Sequence, residues 1–295
     1  MSVAVVTDST AYLPPDLVEG YGIHVVPLYV VLPGRSGREG LDIGPQDVAR
    51  ALAVRGQTVS TSRPTPGDFL AAYRRALDEG ADQLVSVHLS GDLSGTSDAA
   101  RLAAAQVGEH LVTVVDSRSA AMGCGFAVLA AARSAADGAD AAEVAETARR
   151  TAADTSTFFV VDTLEHLRRG GRIGAAAAVL GSALAVKPIL HVNDGRVVPL
   201  EKVRTAARAN SRLVQRAVEA AGDGPVSVAV HHLAAGERAE RLAAELRERL
   251  PALRELHVSE LGAAIGAHVG PGAVGVVVAP FWRGTDEEDR RLPEE

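Results

Sequence analysis

The sequence predicts an α/β protein built as two α/β domains with largely parallel sheets. Three observations carry this. Short apolar runs rich in Val and Leu alternate with Ala-rich segments of helical spacing along nearly the whole chain. The length, 295 residues, accommodates two modest domains at roughly 100–200 residues each. The hydrophobic fraction is 47% with 23% charged residues, the balance of a globular chain rather than a disordered one. Aromatics make up only 3%, so Ala, Val and Leu must fill the core.

The elements follow in order. Val3–Val6 is an apolar strand closed by the polar Thr7-Asp8-Ser9-Thr10, and Pro14-Pro15-Asp16 starts a short helix. Ile23–Leu32, rich in Val and Tyr, is a long strand or a bent pair, followed by a turn at Pro33-Gly34 and Gly37. Pro45-Gln46-Asp47 opens a helix to about Val54, and Thr58–Ser62 is extended. Pro66-Gly67-Asp68 opens another, with Phe69, Leu70, Tyr73 and Leu77 at helical spacing. Leu84–Leu89 is a strand, Ser90–Ser97 a Gly/Ser loop, Asp98–Val107 a helix and Leu111–Val115 a strand. Helices over 120–136 and 141–152 complete the first half.

The second half opens with a strand at Thr157–Val161 and a helical turn at Leu164–Arg169. Ile173–Val186 reads as an apolar helix, with tight Ala packing as its ordinary use and room for a lipid chain beside it as the other. Pro188–Val192 and Arg196–Leu200 form a hairpin around Asn193-Asp194-Gly195. A helix over 204–221, a strand at Val226–Val230, an amphipathic helix over 237–250 and a strand at Leu253–Val258 follow. The Gly-rich stretch 262–272 leads to a last strand, Ala273–Ala279. These elements divide into an N-terminal α/β domain over 1–155, a C-terminal one over 156–282 and a charged tail over 283–295, with room for one terminal strand to cross between domains.

Composition also excludes functions. With 37 acidic and 30 basic residues, net −7, a nucleic-acid partner is disfavoured. The single Cys124 permits no intramolecular disulfide and no cysteine-cluster metal site. The start, MSVAVVTDST, has neither a basic n-region nor a long apolar h-region, and Ile173–Val186 is shorter than the ~20 residues that span a bilayer. The compartment read from these features is reducing and cytoplasmic. A Gly-x-Ser-x-Gly elbow and a His-Glu-x-x-His helix are both absent from the sequence.

Four clusters remain. Ser90-Gly91-Asp92-Leu93-Ser94-Gly95-Thr96-Ser97 lies between a strand and a helix, where free helix N–H groups suit an anion, though plain N-capping accounts for it equally well. Val59-Ser60-Thr61-Ser62-Arg63-Pro64 sets hydroxyls at a strand end. Gly266-Ala267-His268-Val269-Gly270-Pro271-Gly272 makes His268 an exposed or pocket-facing histidine rather than a core one. Arg168-Arg169-Gly170-Gly171-Arg172 is a solvated surface, a phosphate site or a docking patch. Asp8 and Asp116, each ending a strand, either pair or cap the turns after them, with capping favoured. His231 and His232 point to opposite faces of a strand and read as structural.

Together with Val115-Asp116-Ser117, Gly123-Cys124-Gly125, Lys187-Pro188-Ile189-Leu190, Asp194-Gly195, Lys202 and Arg204, these motifs resemble, in order and over essentially the whole chain, the DegV family of bacterial fatty-acid-binding proteins, also called FakB. The chain departs from the family at Arg63, often Gln, and at Gly91, often a second Ser. The resemblance implies a non-enzymatic subunit of a fatty acid kinase system. One long-chain fatty acid would lie in a tunnel between the two domains, with no cofactor besides that ligand. Its carboxylate would be held by Thr61, Ser62, Ser94, Gly95, Thr96 and His268. A separate ATP-dependent kinase subunit, docking at Arg172 and Arg204, would convert it to acyl phosphate for phospholipid synthesis. Transient contact with a membrane surface is compatible with that role. The competing readings are an enzyme or subunit acting on a small polar anion, as in dihydroxyacetone-kinase-like domains, and a lipid-sensing module with no kinase.

Overall fold

The computed structural model describes residues 2–179, 187–282 and 284. The first half contains β1 (Val3–Asp8), a 3-10 turn (Ser9–Ala11), α1 (Pro15–Gly20), β2 (His24–Val26), β3 (Tyr29–Leu32), β4 (Arg35–Arg38) and α2 (Pro45–Ala53). It continues with β5 (Ser60–Ser62), α3 (Pro66–Asp78), β6 (Gln83–His88), α4 (Thr96–Val107), β7 (Val112–Asp116), α5 (Met122–Ala136) and α6 (Ala141–Ala153). The second half contains β8 (Ser156–Val160), α7 (Glu165–Arg169), a 3-10 stretch (Gly174–Val179), β9 (Lys187–Asn193), β10 (Arg196–Val203) and α8 (Ala206–Ala221). It ends with β11 (Val226–His232), α9 (Gly236–Arg249), β12 (Leu253–Glu260), α10 (Ala263–Val269) and β13 (Val274–Pro280).

The α/β class holds. The first sheet, β2-β1-β6-β7, is parallel throughout, as the strand–helix alternation predicts. Its apolar strands are covered on both faces. Phe69 and Tyr73 of α3 pack with the alanines of α4 on one side, and α5 with α6 on the other. Pro27 breaks the Ile23–Leu32 run into the bent pair, and the two pieces join different sheets. β2 pairs with β1, while β3 pairs antiparallel with β4 and β5 in a small three-stranded sheet. That small sheet packs Val30 and Leu32 against Val48 of α2 and against Ala263 and Ala267 of α10.

The second sheet differs from the expectation of largely parallel strands. Its order is β10-β9-β8-β13-β11-β12, and only β11 and β12 run parallel. The hairpin at Asp194-Gly195 makes β9 and β10 antiparallel, and β13 enters between β8 and β11 running against both. β1 lies in the first sheet and β13 in the second. α8 and α9 cover one face of this sheet through Leu213, Val214, Leu242 and Leu246.

The Gly-rich stretch 262–272 contains a helix, α10, and Arg35–Arg38 forms a strand by pairing with β3 despite its polar sequence. The apolar helix expected over Ile173–Val186 begins as 3-10 turns through Val179; residues 180–186 lie outside the described residues, as do 283 and 285–295 of the charged tail. Among the described residues no helix is long and apolar enough to cross a membrane.

Candidate functional site

A cavity opens where the two halves meet. Leu28, Leu89 and Leu93 line it from the first half, and Phe158, Phe159, Leu167, Val192 and Val197 from the second. Against this apolar wall stand a few polar side chains, chiefly Thr61, Ser94, Arg172 and His268. Each arrives on a different element. Thr61 sits on β5, where alternation along the strand turns it inward and leaves Ser60 and Ser62 exposed. Ser94 lies in the tight loop after β6, whose Leu93 and Ser94 N–H groups both donate to the Ser90 carbonyl. Arg172 follows α7, and His268 ends α10.

His268 Nε2 is 2.8 Å from Thr61 Oγ1, across 207 residues of sequence. Burial, and then the positive charge of Arg172, push the His268 imidazolium down to about 4, so the ring is neutral at pH 7. Its Nδ1 is buried and has no hydrogen-bond partner. That face of the ring lies against Gly170: a Cβ there would overlap Nδ1 and come within 2.8 Å of Cε1. The Arg-Arg-Gly-Gly motif therefore has a packing reason, since only a hydrogen fits beside the imidazole. Ser94 Oγ is 2.9 Å from Thr96 Oγ1. Thr96 is fully buried and turns that hydroxyl to Ser94 rather than to the cavity. Gly95 is the N-cap of α4, and the Arg63 side chain lies over it so closely that a Cβ would overlap the guanidinium.

The structure thus gathers Thr61, Ser94 and His268 and leaves Ser62 on the outer face. Arg172, which the resemblance gives to the docking face, is half-buried in the cavity wall. Its Nε donates to the Leu93 carbonyl at 2.9 Å and its Nη1 to the Gly170 carbonyl at 2.6 Å, which folds the guanidinium back into the cavity wall. Arg204 is exposed and lies outside that wall.

A buried chain through His88 and Ser86, not singled out from sequence, supports the site. The fully buried Asp8 accepts from the Thr10 N–H and hydroxyl at 3.1 and 2.5 Å, from the Leu89 N–H at 3.1 Å, and pairs with His88 Nδ1 at 3.0 Å. His88 Nε2 continues to Ser86 Oγ at 2.7 Å, which also receives the Tyr73 hydroxyl at 2.8 Å. This buried chain ties β1 to β6 directly beneath Thr10 and Leu89 of the cavity wall. Asp8 thus caps the turn after β1, and Asp116 likewise accepts from the Gly91 and Arg118 N–H groups. His231 lines the cavity and also braces the fold: burial pushes it down to about 4, and its Nε2 accepts the Met122 N–H at 3.2 Å. The tip of the β9–β10 hairpin is fastened over the Ser94 loop. Ser90 Oγ donates to the Gly195 carbonyl at 2.7 Å, Arg196 pairs with Asp92 at 2.9 Å and Arg118 with Asp194 at 2.8 Å.

Comparison with known proteins decides the family. A family model described as an uncharacterised protein of the DegV family matches residues 2–280. The chain belongs to the DegV family. A DegV domain-containing protein of Streptomyces coelicolor is 55% identical over 277 residues, covering 94% of this chain and 98% of the relative. Protein DegV of Bacillus subtilis is 37% identical over 281 residues, covering 94% and 98%. Among solved structures, a fatty-acid-binding DegV family protein from Thermus thermophilus superposes with a TM-score of 0.90 at 37% identity, over 95% of this chain and 100% of that one. DegV of Bacillus subtilis, a fatty acid binding protein, superposes at 0.86 with 35% identity, over 95% and 100%.

Proposed function

We propose that this DegV family chain binds one long-chain fatty acid. The observation that carries the reading is the cavity: an apolar wall drawn from both halves, with Thr61, Ser94, His268 and Arg172 facing into it. A carboxylate held there needs several hydrogen bonds to offset its lost hydration, and an acyl chain needs the leucine, valine and phenylalanine wall. The same wall argues against a small polar anion. Fatty-acid-binding relatives at 37% and 35% identity support the assignment.

The neutral His268 acts through Thr61. With its proton on Nε2 it donates to Thr61 Oγ1, and the Thr61 hydroxyl proton is then free for a carboxylate oxygen. The unpartnered Nδ1 is a lone pair under this arrangement, a smaller penalty than a buried orphan N–H. Ser94 supplies a second hydroxyl and Gly95 and Thr96 the first turn of α4, while Arg172 contributes positive charge at the same end. The two halves, 1–155 and 156–282, act as the two walls.

The bound acid is then presented to a separate ATP-dependent kinase subunit. A carboxylate oxygen attacks the γ-phosphorus, the bond to the ADP oxygen breaks, and acyl phosphate and ADP result. Exposed Arg204 serves that partner, since one carboxylate needs no further cation beyond Arg172. Denaturing mass spectrometry of lipid released from purified protein tests the first step: about one fatty acid per chain is expected. No lipid, with no uptake of added oleate or palmitate, overturns it. Arg204→Ala should hold fatty acid normally yet yield little acyl phosphate with ATP and the kinase subunit; normal turnover removes Arg204 from the docking face.

A further inference from the structure

Glu39 is a buried carboxylate outside the ligand cavity. It accepts from the Ser9 hydroxyl, from the Tyr12 hydroxyl at 3.0 Å and from the Ala264 N–H at 2.7 Å. Tyr12 in turn accepts the Ile265 N–H at 3.1 Å. Ala264 and Ile265 are in the first turn of α10, whose N-cap, Gly262, has no side chain to satisfy them. Two residues from the far end of the chain's fold thus cap this helix in place of its own sequence. A Cβ on Gly262 would overlap both Glu39 Oε1 and the Tyr12 ring, so the glycine is what admits them.

Ala264 and His268 are four residues apart, one above the other on the same face of α10, and both line the ligand cavity. The helix is held at three points by first-half elements. Glu39 and Tyr12 grip its start, Val30 and Val48 pack against its middle, and Thr61 meets His268 at its end. A shift of the first turn along the axis is carried through a rigid single-piece helix to the imidazole, and a 2.8 Å contact to Thr61 cannot absorb it.

We propose that Glu39, aided by Tyr12, is the positioning residue of the ligand site: by capping α10 across the two halves it sets the height of His268 against Thr61, and through Thr61 the placement of the bound carboxylate. This rests on the fatty-acid reading above for its last link only.

The test compares wild type, Glu39→Ala, Glu39→Gln, Tyr12→Phe and, as a control, Asp140→Ala, which removes the N-cap hydrogen bonds of α6. Two readouts are taken: the His268 ring ¹⁵N resonances without ligand, and the ¹³C resonance of carboxyl-labelled oleate when bound. Glu39→Ala is expected to move the His268 signals, to displace the bound carboxyl signal and to weaken oleate about tenfold. Glu39→Gln keeps an oxygen for the Ala264 N–H and should restore most of both signals. Tyr12→Phe should give a smaller displacement in the same direction, and it carries the test should Glu39→Ala fail to fold. Asp140→Ala should lower the melting temperature and move neither signal. Unmoved His268 resonances in folded Glu39→Ala, or in Tyr12→Phe when it stands in, overturn the proposal. Moved His268 resonances together with no oleate binding by wild type uphold the positioning role and overturn the fatty-acid reading instead.

Discussion

Gly170→Ala is the sharpest perturbation of the candidate site, because it touches neither the cavity nor the proposed ligand. The new methyl would lie 2.8 Å from His268 Cε1 and closer still to Nδ1. Carbon atoms settle at about 3.5–4.0 Å, so the ring must withdraw by roughly 1 Å. Thr61 Oγ1 lies 2.8 Å from Nε2, across the ring from Nδ1, and a displacement of that size cannot leave this hydrogen bond at its present length and angle. Thr61 then loses the donor that orients its own proton toward the ligand. A lost hydrogen bond to a charged group costs about 1.5–3 kcal/mol, so fatty-acid affinity should fall on the order of ten- to a hundredfold. Gly171→Ala is the internal control. Its φ of +71° makes an alanine strained, but a Cβ there meets nothing within 4 Å. It should lose about 1–2 kcal/mol of stability with affinity intact. Calorimetric titration with oleate, beside melting curves for both variants, separates the two effects. Unchanged affinity in folded Gly170→Ala refutes the idea that the His268–Thr61 contact governs the carboxylate.

Ser94→Ala should weaken oleate by about tenfold or more, whereas Ser62→Ala, on the exposed side of β5, should bind as wild type; equal losses in both would reverse the assignment of faces. His231 and His268, each pushed down from 6.5 to about 4, stay neutral in the fold while the unfolded chain takes up protons. They therefore lower stability as pH falls from 6.5 toward 4 and leave it level above 6.5. Glu39, raised by burial, works in the opposite direction, so the measurement is a comparison. The melting temperature of ligand-free His268→Gln should fall less steeply over that window than wild type's. Burial also pushes the Cys124 thiol up, so it should resist a thiol reagent until the chain unfolds; rapid labelling of native protein would contradict its packing.

Much of the architecture was legible because it is local. The alternation of Val-rich runs with Ala-rich helices marks the parallel first sheet, and Thr65 with Asp68, or Asp140, mark helix starts by hydrogen bonds within three residues. What escaped depends on distant partners. α10 lies in a stretch that reads as a glycine loop because its caps, Glu39 and Tyr12, are more than two hundred residues away. Strand direction in the second sheet turns on where β13 inserts, which no local pattern encodes. In the site, period-two alternation on β5 would have separated Thr61 from Ser62. Arg172 could not be placed from its neighbours, because carbonyls at Leu93 and Gly170 decide where its side chain goes.

The helix α5 has twelve of its fifteen residues buried. It touches β1 and β6 of one sheet and β13 of the other, and its core cluster holds Val5 and Val85 together with Ala229, Val277 and Ala279. A helix apolar on every side cannot be left bare by either sheet. The two sheets therefore share a core even though a boundary near 155 would assign them to separate stretches of chain. Melting should be one calorimetric transition, and a fragment ending at residue 155 should aggregate through the vacated face of α5. Ligand traffic is constrained in the same way: a fatty acid bound as proposed would enter and leave by small local movements, such as loosening of the salt-sensitive Asp92–Arg196 and Arg118–Asp194 pairs, because prising the halves apart would flood that helix with water.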